Sequence, residues 1–139
     1  MFENILVAVD GSRHSDAAFD VAIDIAQKYG SKLFVVHVFP GVSRPRKVVS
    51  PNREDDLKSE GQEILNSYEV KVKERHLQNV MTLLQEGDEA KMIMETASEV
   101  KCGLILLGSR GRGGFNELLL GSVSHKVTTH AGCPVLIVK

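Results

Sequence analysis

Short apolar runs alternate with segments of helical periodicity along the whole chain. Runs of four to eight apolar residues suit strands that are buried on both faces of a sheet. They predict β-strands at residues 5–9, 32–39, 80–84, 104–107 and 134–138. In the intervening segments, apolar side chains recur every three to four residues. This period predicts helices at about residues 12–29, 57–75, 88–100 and 121–130.

The regular alternation of strands and helices predicts an α/β fold. We expect a five-stranded parallel sheet with helices on both faces, which makes a three-layer sandwich. Right-handed crossovers leave few topologies, and the order 3-2-1-4-5 opens a crevice between strands 1 and 4. The crevice lies beyond the carboxyl ends of these strands, where Asp10 and Gly108 follow them. The fold alone therefore predicts that Asp10 lies beside a glycine-rich loop.

Composition narrows the classes of protein to which the chain can belong. Its 139 residues suit a single domain spanning 1–139, and 42% apolar residues argue against disorder. A net charge of −1 argues against a nucleic-acid binder that works by bulk charge. The amino terminus lacks a signal-peptide pattern, and no apolar run is long enough for a membrane span. We expect a cytoplasmic protein without a membrane or nucleic-acid partner.

Residues 108–122, GSRGRGGFNELLLGS, hold five of the twelve glycines. A phosphate needs converging backbone N–H groups, and a helix amino terminus adds its dipole. Gly108 and Gly111 flank Arg110, while Gly121 and Ser122 begin the last helix with their N–H groups and the serine hydroxyl placed as at an N-cap. Phe115, Leu118, Leu119 and Leu120 are expected to anchor the segment on the core. A glycine-rich turn with no ligand is the alternative interpretation.

Known phosphate-binding patterns do not fit this segment. No Gly-Lys pair follows the glycines, so the Walker A pattern is absent. The segment follows a late strand, whereas the Rossmann fingerprint follows an early one and is trailed by an acidic residue. A phospho-acceptor receiver would need clustered acids after strand 1, which are also missing.

The spacing Gly108-x2-Gly111-x9-Gly121-Ser122 resembles the signature of ATP-binding universal stress proteins. The stretches ILVAVDGS, GSRGRGG, LLLGSVS and CPVLIVK also resemble that family, in the same order along the chain. This resemblance implies a Rossmann-like fold of the adenine nucleotide alpha hydrolase type. It also implies a homodimer that pairs through the C-terminal strand.

The resemblance further implies a site for ATP, with Mg²⁺ bound chiefly through the phosphates. The glycine segment would hold the triphosphate, and Asp10 would contact the nucleoside. Ala8 and Val38 would lie at the adenine, with Val38 acting through its backbone. The residues implied to bind the cofactor are Ala8, Asp10, Val38, Leu107, Gly108, Ser109, Arg110, Gly111, Gly121, Ser122 and Val123.

The function that follows is a nucleotide-responsive stress or regulatory module with little or no hydrolysis. One alternative is a weak ATPase, or a protein that phosphorylates itself on Ser109 or Ser122. Another is a partner-binding member with an empty pocket. No histidine is placed as a base, and Asp10 is the one carboxylate expected near the crevice. Asp10 could also serve only as a turn former, and Ser122 only as a helix cap.

Several other residues carry weaker expectations. His37 is expected to pack within its strand, and His125 and His130 to lie on the surface. Cys102 and Cys133 are too few and too far apart in sequence for a zinc knuckle or a disulfide framework, so each is expected to pack as a small buried side chain. The basic loop 40–53 leaves strand 2 at the edge of the crevice. Its residues Arg44, Arg46 and Lys47 could fold over bound nucleotide, although a solvated loop is the simpler interpretation.

Overall fold

The computed structural model of the protein describes residues 1–41, 53–111 and 119–139. Strands and helices alternate through these residues as the sequence predicts. The strands are β1 (Asn4–Ala8), β2 (Lys32–Phe39), β3 (Val80–Glu86), β4 (Leu104–Gly108) and β5 (Val135–Val138). The helices are α1 (Arg13–Tyr29), α2 (Arg53–Glu74), α3 (Glu89–Glu99) and α4 (Ser122–His130).

The strands form one parallel sheet in the order β3-β2-β1-β4-β5, which confirms the predicted topology. Strand β1 lies at the centre, where Val7 pairs with Val35 of β2 and with Leu106 of β4. The sheet order reverses at β1. The crevice between the carboxyl ends of β1 and β4 therefore lies where the strand order predicts a ligand.

Each face of the sheet carries its own apolar core. Helices α1 and α2 cover the face that presents Val7 and Leu106, and fully buried Phe19 and Tyr68 are among the side chains they contribute. Helices α3 and α4 cover the opposite face, to which they contribute Ile93 and Val127. Because successive strand residues point to opposite faces and helices cover both faces, residues 5–7 of β1 and 104–107 of β4 are all apolar. No described helix is both long and apolar enough to cross a bilayer.

Element ends match their local signals closely. Ser12 caps α1 by accepting a hydrogen bond from the Ser15 amide, and Gly30 ends that helix in the left-handed conformation at φ 64°. Asp88 caps α3 in the same way through the Lys91 amide. Two element boundaries differ from the predicted ones by two residues or more. Strand β3 runs two residues further, because its pairing with β2 continues to Glu86, and α2 begins at Arg53 rather than near residue 57.

Candidate functional site

A cavity of about 560 Å³ opens at the carboxyl edge of the sheet. Its floor is made by the ends of β1, β2 and β4, and helix α2 forms one wall. The first turns of α3 and α4 border it on the other side. The lining residues are Ala8, Val9, Asp10, Ser15, His37, Val38, Phe39, Pro40, Leu57, Glu60, Gly61, Ile64, Glu89, Leu107, Gly108, Arg110, Gly111, Leu119, Leu120, Gly121, Ser122, Val123 and Ser124.

Every residue that the resemblance assigns to the nucleotide lines this cavity, with the exception of Ser109. The Ser109 side chain lies toward α1, where its Oγ is 3.5 Å from Nδ1 of His14. The carbonyl of Ser109 accepts a hydrogen bond of 2.8 Å from the Gly121 amide. Ser109 thus joins the two halves of the glycine segment through its backbone, while its hydroxyl lies outside the cavity lining.

Gly108 lacks a side chain because the first turn of α1 passes directly over it. A Cβ at Gly108 would lie 2.7 Å from the backbone carbon of His14 and 2.8 Å from its carbonyl oxygen. Such a contact is far below an ordinary van der Waals distance. Gly108 therefore permits α1 to approach β4 closely, and this packing role does not depend on a ligand.

Gly111 and Gly121 are also confined by neighbouring protein atoms. A Cβ at Gly111 would lie 2.7 Å from Oδ2 of Asp10. A Cβ at Gly121 would lie 3.3 Å from Cα of Arg110 and 3.4 Å from the Ser109 carbonyl oxygen. The motif glycines thus bring β1, the 108–111 turn and α4 together, and the resulting assembly forms one end of the cavity.

The amino terminus of α4 differs in detail from the prediction. Gly121 is the N-cap, its position carries no side-chain capping bond, and its own amide is already bonded to Ser109. The prediction that the Gly121 amide and the Ser122 hydroxyl are placed as at an N-cap is therefore corrected: that amide is occupied, and Ser122 is the first residue of the helix rather than its cap. The first bond along the helix runs from the His125 amide to the Gly121 carbonyl, so the amides of residues 122–124 have no partner within the helix. These three amides border the cavity.

Asp10 is held at the end of β1 by two hydrogen bonds. Its Oδ1 accepts from the Ser12 amide at 2.8 Å, which is the turn-forming role that the sequence also allowed. Its own amide donates to Oγ of Ser15 at 3.1 Å. The second carboxylate oxygen, Oδ2, faces Gly111 across the crevice. Asp10 thus shapes the turn and also presents an acceptor to the cavity.

A buried hydroxyl network connects Asp10 to α2. Oγ of Ser15 lies 2.8 Å from the hydroxyl of Tyr68, which is fully buried. The Tyr68 hydroxyl donates a hydrogen bond of 2.6 Å to Oδ1 of Asp16. Burial raises the pKa of Tyr68, and its bond to Asp16 raises it further. The Tyr68 hydroxyl therefore stays protonated and keeps the hydrogen that it donates to Asp16. Through Ser15, the network ties the position of α2 to the backbone of Asp10.

Val38 offers backbone groups to the cavity. The Val36 carbonyl accepts a bond from the Val9 amide, so the polar groups of Val36 point toward β1. The peptide groups of alternate strand residues point the same way, and those of Val38 therefore share this direction. Because β1 ends at Ala8, Val38 lies past the end of its neighbour. Its amide and carbonyl are well placed for a planar ligand with donor and acceptor edges.

Glu89 adds to Asp10 and Glu60 a further carboxylate in the lining, which the sequence does not single out. It follows β3 directly as the first residue of α3, so its position at the carboxyl edge is the signal that could have revealed it. The residue is exposed as a whole, yet partial burial of its carboxyl raises the Glu89 pKa. The negative charges of Asp10 and Asp88 raise this pKa further. The mouth of the cavity is therefore acidic near Asp10.

Replacing Glu89 with glutamine is expected to strengthen binding of the anionic nucleotide that the resemblance implies, by about threefold at neutral pH. The change removes a negative charge but keeps the size of the side chain, and the effect is modest because solvent screens the group. As pH falls, Glu89 becomes protonated in the native protein, so the advantage of the variant should shrink. Glu99→Gln, a matched change on an exposed residue at the other end of α3, is the control. Titration calorimetry at pH 5.5 and 7.5 measures the nucleotide affinities of both variants and the wild type. Equal affinities of all three proteins at pH 7.5 would contradict the prediction.

The remaining expectations have mixed outcomes. His37 is buried, with Nδ1 2.7 Å from the Val9 carbonyl oxygen, and His125 and His130 are exposed, as predicted. Leu119 and Leu120 are exposed at the cavity, so the prediction that they anchor the segment on the core was wrong. Residues 44, 46 and 47 and residues 112–118 lie outside the described part of the chain.

The model of the universal stress protein family matches residues 1–139. The chain belongs to this family. Universal stress protein YxiE of Bacillus subtilis is 36% identical over 149 aligned residues, with all of both chains covered. A universal stress protein of Archaeoglobus fulgidus solved in complex with dAMP matches with a TM-score of 0.74 at 26% identity, over the full length of both chains. A second solved structure, of a universal stress protein in complex with cAMP, matches with a TM-score of 0.77 at 27% identity. The match covers 99% of this chain and 97% of that chain.

As a universal stress protein, the chain resembles the two nucleotide complexes in its whole architecture. The likeness confirms the Rossmann-like fold and suggests nucleotide binding, because both of these neighbours were solved with an adenine nucleotide. Glu60 and Gly61 of α2 also line the cavity of this universal stress protein, although the sequence does not point to them. Their helix is amphipathic and lies far from the motif in sequence, so only the folded chain reveals them.

Proposed function

We propose that this universal stress protein binds ATP and acts as a nucleotide-responsive stress or regulatory module with little or no hydrolysis. The observation that carries the proposal is the meeting of two backbone elements at one cavity. The 108–111 turn forms one side, and residues 122–124, whose amides have no partner within α4, form the other. Converging amides at a helix amino terminus favour phosphate, and Arg110 adds positive charge beside them.

The rest of the cavity suits the nucleoside. Val38 provides an amide and a carbonyl for the base, and Ala8 and Leu107 provide apolar surface. Asp10 Oδ2 is an acceptor for a ribose hydroxyl. A volume of about 560 Å³ falls within the usual range for small-molecule pockets. Adenine at β2 and phosphates at α4 would therefore place the ligand across the crevice.

Mg²⁺ would be held chiefly through the phosphates. Within the described residues, no group of three or more histidine, cysteine, aspartate or glutamate side chains could hold a metal ion. Mg²⁺ commonly retains several waters and uses substrate phosphates as ligands. When bound, it would neutralise part of the triphosphate charge. The chain itself would contribute amides and Arg110 to the same end.

The module would work in the cytoplasm as one domain over residues 1–139 and as a homodimer. In the described structure, β5 pairs with β4 on one side and is an edge strand of the sheet. Leu136 on this strand is exposed. An exposed apolar edge strand is a template for pairing with another chain, which supports a dimer through β5.

Titration calorimetry with ATP on nucleotide-free protein is the direct test. We expect saturable binding of one ATP per chain, with weaker binding of AMP because the phosphate contacts are fewer. Parallel assays of ADP production should show no turnover above the rate in buffer. Absence of ATP binding by folded protein would overturn the proposal and favour a partner-binding protein with an empty pocket. Steady ADP production that is lost in Asp10→Ala would favour the ATPase alternative.

A further inference from the structure

Cys102 and Cys133 lie close together at the amino ends of β4 and β5, at the opposite edge of the sheet from the cavity. Each cysteine precedes its strand by two residues. The two strands pair with Ile105 opposite Val135, and the pairing extends to a 3.0 Å bond from the Ile105 amide to the Pro134 carbonyl. Continuing this register places Cys133 opposite Gly103, the neighbour of Cys102. The two cysteines are thus neighbours across the strand pair, and each is half-buried rather than fully buried as predicted.

The two thiols are free, half-buried and directed toward the same backbone segment. Cys102 Sγ donates to the Leu104 carbonyl at 2.8 Å, and the Cys133 thiol interacts with the backbone of Ile105. The two thiols also lie close enough to affect each other's pKa. Both side chains pack against the apolar core beneath α3 and α4, so they lie on the same face of the sheet at the ends of adjacent strands. Neighbouring parallel strands are about 4.8 Å apart, and a disulfide spans Cα separations of roughly 4.4–6.8 Å.

We propose that Cys102 and Cys133 form a peroxide-responsive pair that closes to an intramolecular disulfide. The inference concerns a site separate from the nucleotide cavity and does not depend on ATP binding. The Cys133 thiolate attacks hydrogen peroxide, forming an S–O bond as the O–O bond breaks and hydroxide leaves. The Cys102 sulfur then attacks the Cys133 sulfenic acid, forming the S–S bond while water leaves. In total, two thiols and one peroxide give one disulfide and two waters.

The geometry assigns different roles to the two sulfurs. Burial raises the pKa of the Cys102 thiol to about 11, and burial also raises the pKa of Cys133. Contacts with Cys102 and with the Ile105 backbone oppose the rise in the Cys133 pKa, while the single hydrogen of the Cys102 thiol is donated to the Leu104 carbonyl. Cys133 is therefore the residue that is oxidised first, and Cys102 resolves it. Since only the thiolate reacts, oxidation is slow at neutral pH and accelerates as pH rises.

Closure of the pair would constrain the half of the protein that carries the glycine segment. The segment between the two cysteines contains β4, residues 108–122 and α4. Cross-linking a loop of this length lowers the entropy of the unfolded chain substantially. The oxidised protein should therefore melt at a higher temperature than the reduced protein. A disulfide that fits the native register would leave the sheet unchanged.

The test is oxidation of the full chain with hydrogen peroxide at pH 7 and pH 9, followed by alkylation and intact-mass measurement. We expect a mass loss of two hydrogens, a cross-linked 102–133 peptide and full reversal by dithiothreitol. The rate should be at least tenfold higher at pH 9. The melting temperature should rise by roughly 5–10 °C and fall again on reduction.

Matched serine variants separate the roles. In Cys102→Ser, dimedone should trap a sulfenic acid on Cys133, whereas Cys133→Ser should form little adduct. Three results would overturn the proposal: disulfides only between chains, further oxidation of either cysteine without a link, or equal rates at the two pH values. The single serine substitutions keep side-chain size nearly unchanged, and the intact-chain assay does not require nucleotide. Failure here would therefore leave the proposed ATP binding untouched.

Discussion

Replacing Gly121 with valine is expected to weaken ATP binding by about 100-fold, which corresponds to about 2.7 kcal/mol. The backbone of Gly121, at φ −60°, suits any residue, so the effect is steric. A Cβ there would lie 3.3 Å from Cα of Arg110, and the two methyl groups of valine would crowd the turn further. The turn must move away from α4, which breaks the 2.8 Å bond from the Gly121 amide to the Ser109 carbonyl. The two halves of the proposed phosphate site would then separate.

Gly132→Val is the matched control, because a Cβ at Gly132 has no atom within 4 Å. Calorimetric titration with ATP and thermal melting of both variants compare a substitution at a crowded position with a substitution in open space. We expect the control to bind ATP as wild type does. Wild-type affinity in a folded Gly121→Val protein would refute the phosphate role of the glycine segment. Equal losses in both variants would show that the effect does not come from the turn.

The strand order could be predicted from the sequence because local patterns identify both the strands and the helices that connect them. Apolar runs identify strands, helical periodicity identifies crossovers, and right-handed connections leave few arrangements. The order in turn places Asp10 beside Gly111 across 100 intervening positions. That contact is a consequence of topology, and the structure confirms it at the level of the Asp10 Oδ2 atom.

The parts that could not be predicted depend on contacts between distant segments. The sequence shows that Gly121 precedes a helix, but only the fold shows that Ser109 occupies its amide. Similarly, Glu89 looks like an ordinary helix-start residue until β3 brings it to the cavity. Cys102 and Cys133 are separated by a whole strand-and-helix unit, and their proximity follows from the β4–β5 register. Sequence patterns predict the elements well, whereas the partners of individual polar groups require the packed chain.

The motif glycines also serve the fold itself, and Gly108→Ala tests this directly. We expect the substitution to lower the free energy of unfolding by about 2–3 kcal/mol and the melting temperature by roughly 6–10 °C. The new methyl group would meet the His14 backbone at 2.7–2.8 Å, and backbone cannot rotate away as a flexible side chain can. The first turn of α1 would have to shift. That turn is fixed by the Ser12 cap and by the bond from the Asp10 amide to Ser15.

Chemical denaturation of Gly108→Ala and Gly132→Ala, both without nucleotide, isolates this packing term from any ligand effect. Alanine at Gly132 enters open space, so its stability should stay within about 0.5 kcal/mol of wild type. If Gly108→Ala were as stable as that control, close packing of α1 on β4 could not explain the glycine. A ligand contact would then have to account for it. A large loss in the absence of nucleotide would mean that the spacing of this motif reflects assembly of the crevice as well as phosphate binding.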